Sequence, residues 1–257
     1  MSPTQPIRPS QSARLAPVLT ALALGLAPGR SPAQNNDPVS PNVGLPSIAV
    51  VHKLHGAGAG WKAEAGYPAF RAATALTAAA DKRLRIDCLK DFATFVASAK
   101  SNAGTADTGP TDPYEYDDNP YVTLYEPNHL ISTATFTYDF EGGAHGMDSL
   151  SCITFGQVGA RARVVTLGDF FQPGVDYHAL VSKALLAKLK KMDGAAFAQD
   201  GSMGPITSDQ FNNFSVFPDG MEWHFNPYEA GPFSSGIIDV KLKWAELGPG
   251  LNKAMLP

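Results

Sequence analysis

"LISTATFTYDFEGGAHGMDSLSCITFGQV", residues 130–158, is the stretch whose reading decides the fold. From Leu130 to Phe140 the residues alternate. Ile131, Thr133, Thr135, Thr137 and Asp139 fall on one face, and Ala134, Phe136, Tyr138 and Phe140 on the other. A period of two carried by β-branched and aromatic residues predicts a strand. Ser149 to Val158 predicts the next strand, with Leu150, Cys152 and Phe155 toward the core. EGGAHG, residues 141–146, is then the connection of a hairpin. Gly142, Gly143 and Gly146 are structural turn residues there, because glycine accepts positive φ and close backbone approach. His145 has two readings: it fixes the bend by bonding the backbone, or it is a surface recognition residue.

Working outward, the same alternation predicts strands at Tyr121–Tyr125 and over 163–167. A second hairpin is predicted from Asn213–Phe217 and Met221–Phe225 around Pro218-Asp219-Gly220. Ile237–Trp244 closes the sheet, and a brief helical turn over 245–251 caps it. Upstream, Ser47–Leu54 is a strand ended by HGAGAG, whose glycines lack the GxGxxG spacing of a nucleotide loop. Residues 69–100 are alanine-rich, and Leu84, Cys88, Phe92, Phe95, Val96 and Ala99 form a helical stripe. Val175–Met192 is the clearest helix, with Tyr177, Val181, Leu185, Leu186, Leu189 and Met192 on its apolar face. The predicted fold class is α+β: an antiparallel sheet with helices packed against it in one exported module. The acidic segment GTADTGPTDPYEYDDNP reads as a solvated loop, since it lacks the ligand order of a calcium loop.

The N-terminus points to a compartment. Arg8 and Arg14 precede the apolar run Leu15–Ala27, and Ser31-Pro32-Ala33 follows, the order of a secretory signal peptide over residues 1–33. Residues 34–46 are a flexible lead-in. Loss of the three arginines of the leader takes 20 basic and 24 acidic residues to 17 and 24, a net charge of −7. Such a chain is poorly suited to nucleic acid, which is bound by neutralising phosphates. No other segment reaches membrane length, so no stable membrane insertion is expected after cleavage. The expected location is secreted or periplasmic.

Cys88 and Cys152 are the only cysteines. In an oxidising compartment a disulfide between them is expected, tying a helix to a strand; two buried free thiols are the alternative. A weaker metal alternative groups His145, Glu222, His224 and Glu229. Glu222 and His224, two apart in a strand, share a face, but no compact ligand motif such as HExxH is present. No GxSxG elbow is present either. A cysteine hydrolase joining Cys152 to His145 requires an exposed thiolate. NPYEAGPFSSG, residues 226–236, reads as a surface loop in which Tyr228, Glu229 and Phe233 supply binding contacts.

Taken in order, "FTYDFEGGAHG", "ITF", "TLGDFF", "DYHAL" and "VFPDGMEWHFNPYEAGPFSSGIIDVKL" resemble the RsiV-type C-terminal domain family, DUF3298. The likeness is strongest over 119–251. Residues 47–118 resemble, more weakly, the DUF4163-like segment that usually precedes it, leaving 119–257 as the DUF3298-like part. The resemblance implies an extracytoplasmic α+β module of bacterial envelopes. One such module binds lysozyme in a sensing anti-sigma factor; another precedes a peptidoglycan deacetylase domain without performing its catalysis. This chain departs from both arrangements, having no spanning segment to an intracellular domain and no separate deacetylase domain. Met147 and EAGPFSSG are further departures from the family pattern. The expectation is therefore a binding module without catalysis or cofactor, whose partner is a lysozyme-like protein or peptidoglycan. A small metal-assisted or cysteine-dependent hydrolase acting on cell-wall material is the alternative.

Overall fold

A computed structural model describes residues 48–102 and 113–257. The leader over 1–33, the lead-in over 34–46 and the first half of the acidic segment, up to residue 112, lie outside the described residues. The described residues open with a hairpin of two ten-residue strands, β1 (Ala49–Gly58) and β2 (Trp61–Phe70). The sequence reading ended the first strand at the glycines, yet they run on within it. The Trp61 ring lies against Gly56 and Gly58, where a Cβ would collide with it, so the glycines make room for an indole rather than break the strand.

Helix α1 (Ala75–Asn102) follows. At its start Thr74 and Thr77 accept each other's backbone N–H, at 2.9 and 3.1 Å, satisfying donors that the first turn leaves free. Leu76, Ala80, Leu84, Cys88, Phe95 and Ala99 form its buried stripe. α1 bridges β2 to β3 (Tyr114–Glu126), and these two strands pair in parallel. β4 (Leu130–Phe140), β5 (Met147–Val158) and β6 (Arg161–Val165) then add antiparallel, completing a six-stranded sheet in sequence order.

The expected acidic loop is corrected here: residues from Tyr114 onward belong to β3, and Asp118 is only 8% exposed. Alternation along the strand turns Tyr116 and Asp118 inward together. A bulge between Val122 and Leu124 then reverses the parity of β3, so Val122 faces α1 while Leu124 faces the other side.

The single expected sheet is two. After β6 come α2 (Tyr177–Leu189), α3 (Ala196–Asp200) and α4 (Ser208–Asn212). β7 (Phe214–Phe217), β8 (Gly220–Phe225) and β9 (Ile238–Lys243) form a separate three-stranded sheet. Its one face is wholly apolar: Phe214, Val216, Met221, Trp223, Phe225, Ile238, Val240 and Leu242 pack with Val181, Leu185 and Leu189 of α2. Leu124, Leu130 and Val165 join this core from the six-stranded sheet, on the face opposite α1. Burying each such side chain contributes roughly 1.5–3 kcal/mol, so the alternation of β7–β9 is what seats the second sheet.

The expected disulfide is also corrected. Both cysteines are free thiols. Cys88 lies on α1 beside Ser151 and Ile153, which face the helix, and strand alternation turns Cys152 between them to the opposite face. The sheet itself stands between the sulfurs. Burial pushes the Cys88 thiol up to about 12, with Asp118 and Asp91 adding to the effect, so it remains protonated.

Candidate functional sites: an aromatic ledge and a buried polar chain

EGGAHG connects β4 to β5, as the alternation predicts. Gly142 and Gly143 have φ of 93° and 101°, conformations that side chains resist. Gly146 is needed for space, since a Cβ there would lie 2.5 Å from the Tyr138 ring. His145 stays exposed and donates from Nδ1 to Gly146 O at 3.0 Å. Its ring stacks on Phe233, with centroids 3.8 Å apart and planes 20° apart. Tyr228 lies 6.0 Å from Phe233 and is 54% exposed. Three of the sequence-selected binding residues thus meet, from loops that belong to different sheets.

The 226–236 loop is held rigidly. Asn226 donates its N–H to Glu229 Oε2 at 2.7 Å, Glu229 N–H returns to Asn226 O, and Tyr228 N–H bonds Gly231 O. Glu229 therefore closes the turn beneath the ledge. Tyr228 sits at φ 72°, the only described non-glycine residue with positive φ. Such backbone costs about 1 kcal/mol or more and persists only where surrounding bonds over-determine it. Ser235 ties the far end of the loop to Gly194 O.

A second constellation lies where the two sheets meet. His224, 3% exposed, has Nδ1 2.7 Å from Asp239 Oδ1 and Nε2 2.9 Å from Ser215 Oγ. Ser215 Oγ is in turn 3.4 Å from Cys152 Sγ. Cys152, Ser215, His224 and Asp239 come from β5, β7, β8 and β9. Burial opposes the imidazolium, but the Asp239 carboxylate and the Cys152 sulfur outweigh it and raise His224 to about 10. Glu222 is pushed up by burial and by Asp239. Burial, with Cys152, Asp239 and Glu222 nearby, also raises the Tyr121 phenol.

Two asparagines fasten the sheets at this point. β6 pairs only with Thr154–Val158, leaving the outer edge of β5 open before it. Asn213 Oδ1 accepts the Cys152 N–H at 3.0 Å, and its Nδ2 donates to Leu150 O and His224 O. Asn226 Oδ1 accepts the Leu150 N–H at 2.8 Å. The two amides stand in for the missing strand.

On the α1 side of the six-stranded sheet a cavity of about 290 Å³ is lined by Asp118, Asp91, Tyr116, Thr135 and Thr137, among others. Asp118 accepts from Thr137 Oγ1 at 2.6 Å, yet burial, with Asp91 and Asp117 nearby, raises it to about 6. Next to it on β4, Asp139 is pushed up by burial and by Glu141, and among the described residues its Oδ1 has no hydrogen-bond partner.

The weak metal grouping is not brought together: His145 stacks on Phe233, and both nitrogens of His224 face protein partners. Among the described residues no three His, Cys, Asp or Glu side chains are placed to hold an ion. Ser215, Asp239, Asn213 and Asn226 escaped sequence reading. The signal available for the first two was alternation, which puts Ser215 and Asp239 on the face of Glu222 and His224 once the β7–β9 register is known.

Residues 168–245 match the sequence profile of the family described as "Protein of unknown function (DUF3298)". No curated protein matches the chain. Two solved structures of DUF3298 family proteins share the fold. The one from Bacteroides fragilis NCTC 9343 has TM-score 0.60 and 16% identity, over 80% of this chain and 94% of that one. The one from Pseudomonas aeruginosa PAO1 has TM-score 0.57 and 17% identity, over 83% and 99%. The profile match begins beyond EGGAHG, and neither comparison ties the chain to the RsiV-type branch or to a DUF4163 segment. The chain thus carries the DUF3298 sequence pattern over 168–245 and the fold of solved DUF3298 family proteins over four fifths of its length.

Proposed function

We propose that this chain is an extracytoplasmic binding module whose recognition surface is the ledge of His145, Phe233 and Tyr228. The observation that carries this reading is the exposed Tyr228 ring, held out on a left-handed backbone beside the His145–Phe233 stack. Rigid aromatic groups on well-supported loops supply contact area at little entropic cost. Glu229 is a positioning residue, through its bond to Asn226.

The partner follows from charge and from the family likeness. A chain with net charge −4, or −7 without its leader, favours a basic partner. A lysozyme-like protein fits that requirement; peptidoglycan is the second candidate, suited to an aromatic ledge. Among the described residues no helix is long and apolar enough to cross a membrane.

The test is titration of the chain with a basic lysozyme and, separately, with purified peptidoglycan fragments. Tyr228→Ala and Phe233→Ala are each expected to weaken binding to one of them by about tenfold or more, the scale of an aromatic anchor. Glu229→Gln, which preserves an acceptor for Asn226, is expected to change affinity little. Absence of binding to either, or binding indifferent to both alanine variants, overturns the reading.

A further inference from the structure

We infer that Cys152, joined through Ser215 to His224 and Asp239, is a reactive thiol site for small disulfides. The four side chains form one chain of contacts: sulfur to hydroxyl 3.4 Å, hydroxyl to imidazole 2.9 Å, imidazole to carboxylate 2.7 Å. Taken alone, the last three members have the connectivity of a serine hydrolase triad. Ser215 is nevertheless wholly buried, whereas Cys152 is partly exposed. Of the chain's two ends that are not fully buried, Cys152 and Asp239, the thiol is the one that can attack a disulfide.

The hydrogen bonds have a defined direction. With His224 raised to about 10, its resting imidazolium donates Nδ1–H to Asp239 and Nε2–H to Ser215 Oγ, and the Ser215 O–H points to the Cys152 sulfur. Loss of the Cys152 proton to solvent leaves a thiolate accepting from Ser215, beside an imidazolium donating to Ser215 and Asp239. The ion pair so formed is neutral as a unit, and Asp239 stabilises its positive end. Groups around His224 are Glu222 on its own strand β8, Asp239 on β9, Cys152 on β5 and Tyr121 on β3; Lys241, further along β9, is paired with Asp219. Two carboxylates against one distant ammonium favour the protonated imidazole.

The reaction is thiol–disulfide exchange. Thiolate sulfur attacks one sulfur of a disulfide RS–SR, the Cys152–S–SR bond forms, and the RS–SR bond breaks. The leaving thiolate RS⁻ takes back from solvent the proton that Cys152 gave up and departs as RSH. No net oxidation occurs beyond transfer of the disulfide. Cys88 lies across the sheet and has its thiol held protonated, so it cannot resolve the adduct. The mixed disulfide is therefore a stable modification rather than an intermediate.

The probe is dipyridyl disulfide, which is uncharged near neutrality, with pyridinethione release followed by absorbance and the adduct located by mass spectrometry. One thiol of the native chain is expected to react, at Cys152, with Cys152→Ser abolishing the signal. At pH 6 its rate should exceed that of free glutathione by about tenfold or more, because an isolated thiol is scarcely ionised there. Asp239→Asn, on an edge strand and half exposed, is expected to keep the fold, checked by circular dichroism. It should remove most of the pH 6 advantage while leaving the rate at pH 9 within about twofold. His224→Gln should do the same if it folds. A native chain no faster than glutathione at pH 6 overturns the inference. So does an Asp239→Asn variant with an unchanged pH profile.

Discussion

The two faces of the six-stranded sheet treat buried polar groups in opposite ways. Toward the second sheet, Cys152, Ser215, His224 and Asp239 each have a partner, Asn213 and Asn226 take up the open backbone of β5, and Ser132 accepts from Thr154 and Val216. Toward α1, Asp118 is buried near other carboxylates, and Asp139 keeps an oxygen without a partner among the described residues. The comparison teaches where stability is spent. One face converts its polar groups into a specific junction between sheets, while the other carries Asp118, bonded by the Thr137 hydroxyl, and Asp139 with an orphaned oxygen among the described residues.

The strongest way to break the comparison is to cut the junction. Asn213→Ala removes three hydrogen bonds and leaves Cys152 N–H, Leu150 O and His224 O without that partner. A loss of about 3 kcal/mol in urea unfolding is expected. A loss below about 1 kcal/mol would mean water replaces the amide and the junction is not what joins the sheets.

Relief of the other face should have the opposite sign. The folded-state pKa of Asp118, about 6 against an ordinary 3.8, disfavours folding once the carboxyl ionises. The cost is absent below pH 3.8, grows as pH rises to about 6, and is complete above it. Asp118→Asn should therefore stabilise the chain by about 2 kcal/mol at pH 7.5 and by almost nothing at pH 3.5. Equal effects at the two values would sink the account.

The smallest effect concerns His224. Its raised pKa means that stabilisation is full below the ordinary 6.5 and is lost as pH rises through about 10. Asp239→Asn should flatten that alkaline decline. Because the Asp239 side chain is 44% exposed, solvent screening limits the change to about 1 kcal/mol or less. The two faces thus report in separate pH windows, and a single pH–stability curve distinguishes them.

Much of the local architecture was readable. β4 lies over Leu130–Phe140 with the faces that alternation assigned, and α2 presents Val181, Leu185 and Leu189 inward as its periodicity requires. Three misreadings have physical causes. Glycines in β1 looked like a strand end because the Trp61 ring they accommodate is a tertiary partner. Asp118, inside β3, looked solvated because the charges around it obscure the strand's alternation. Cys88 and Cys152 looked pairable because each is on a core-facing stripe, and only the placement of α1 shows that the stripes face different cores.

The candidate sites divide in the same way. His145, Tyr228 and Phe233 were legible one by one, as unusual residues in glycine-rich loops, whereas their stacking depends on two hairpins from different sheets meeting at one edge. Ser215 and Asp239 carry no local signal, being ordinary strand residues until register sets them beside His224. By itself the sequence determined the long helices, most strands from β4 onward and the α+β class, because those follow from side-chain periodicity and local backbone preference. β2 and the short helices α3 and α4 carried no such signal. Tertiary structure alone decided that the strands form two sheets, that the cysteines stay apart, and that a thiol, a hydroxyl, an imidazole and a carboxylate line up. Those outcomes depend on which faces are buried against which, and contacts between distant segments leave no mark on local periodicity.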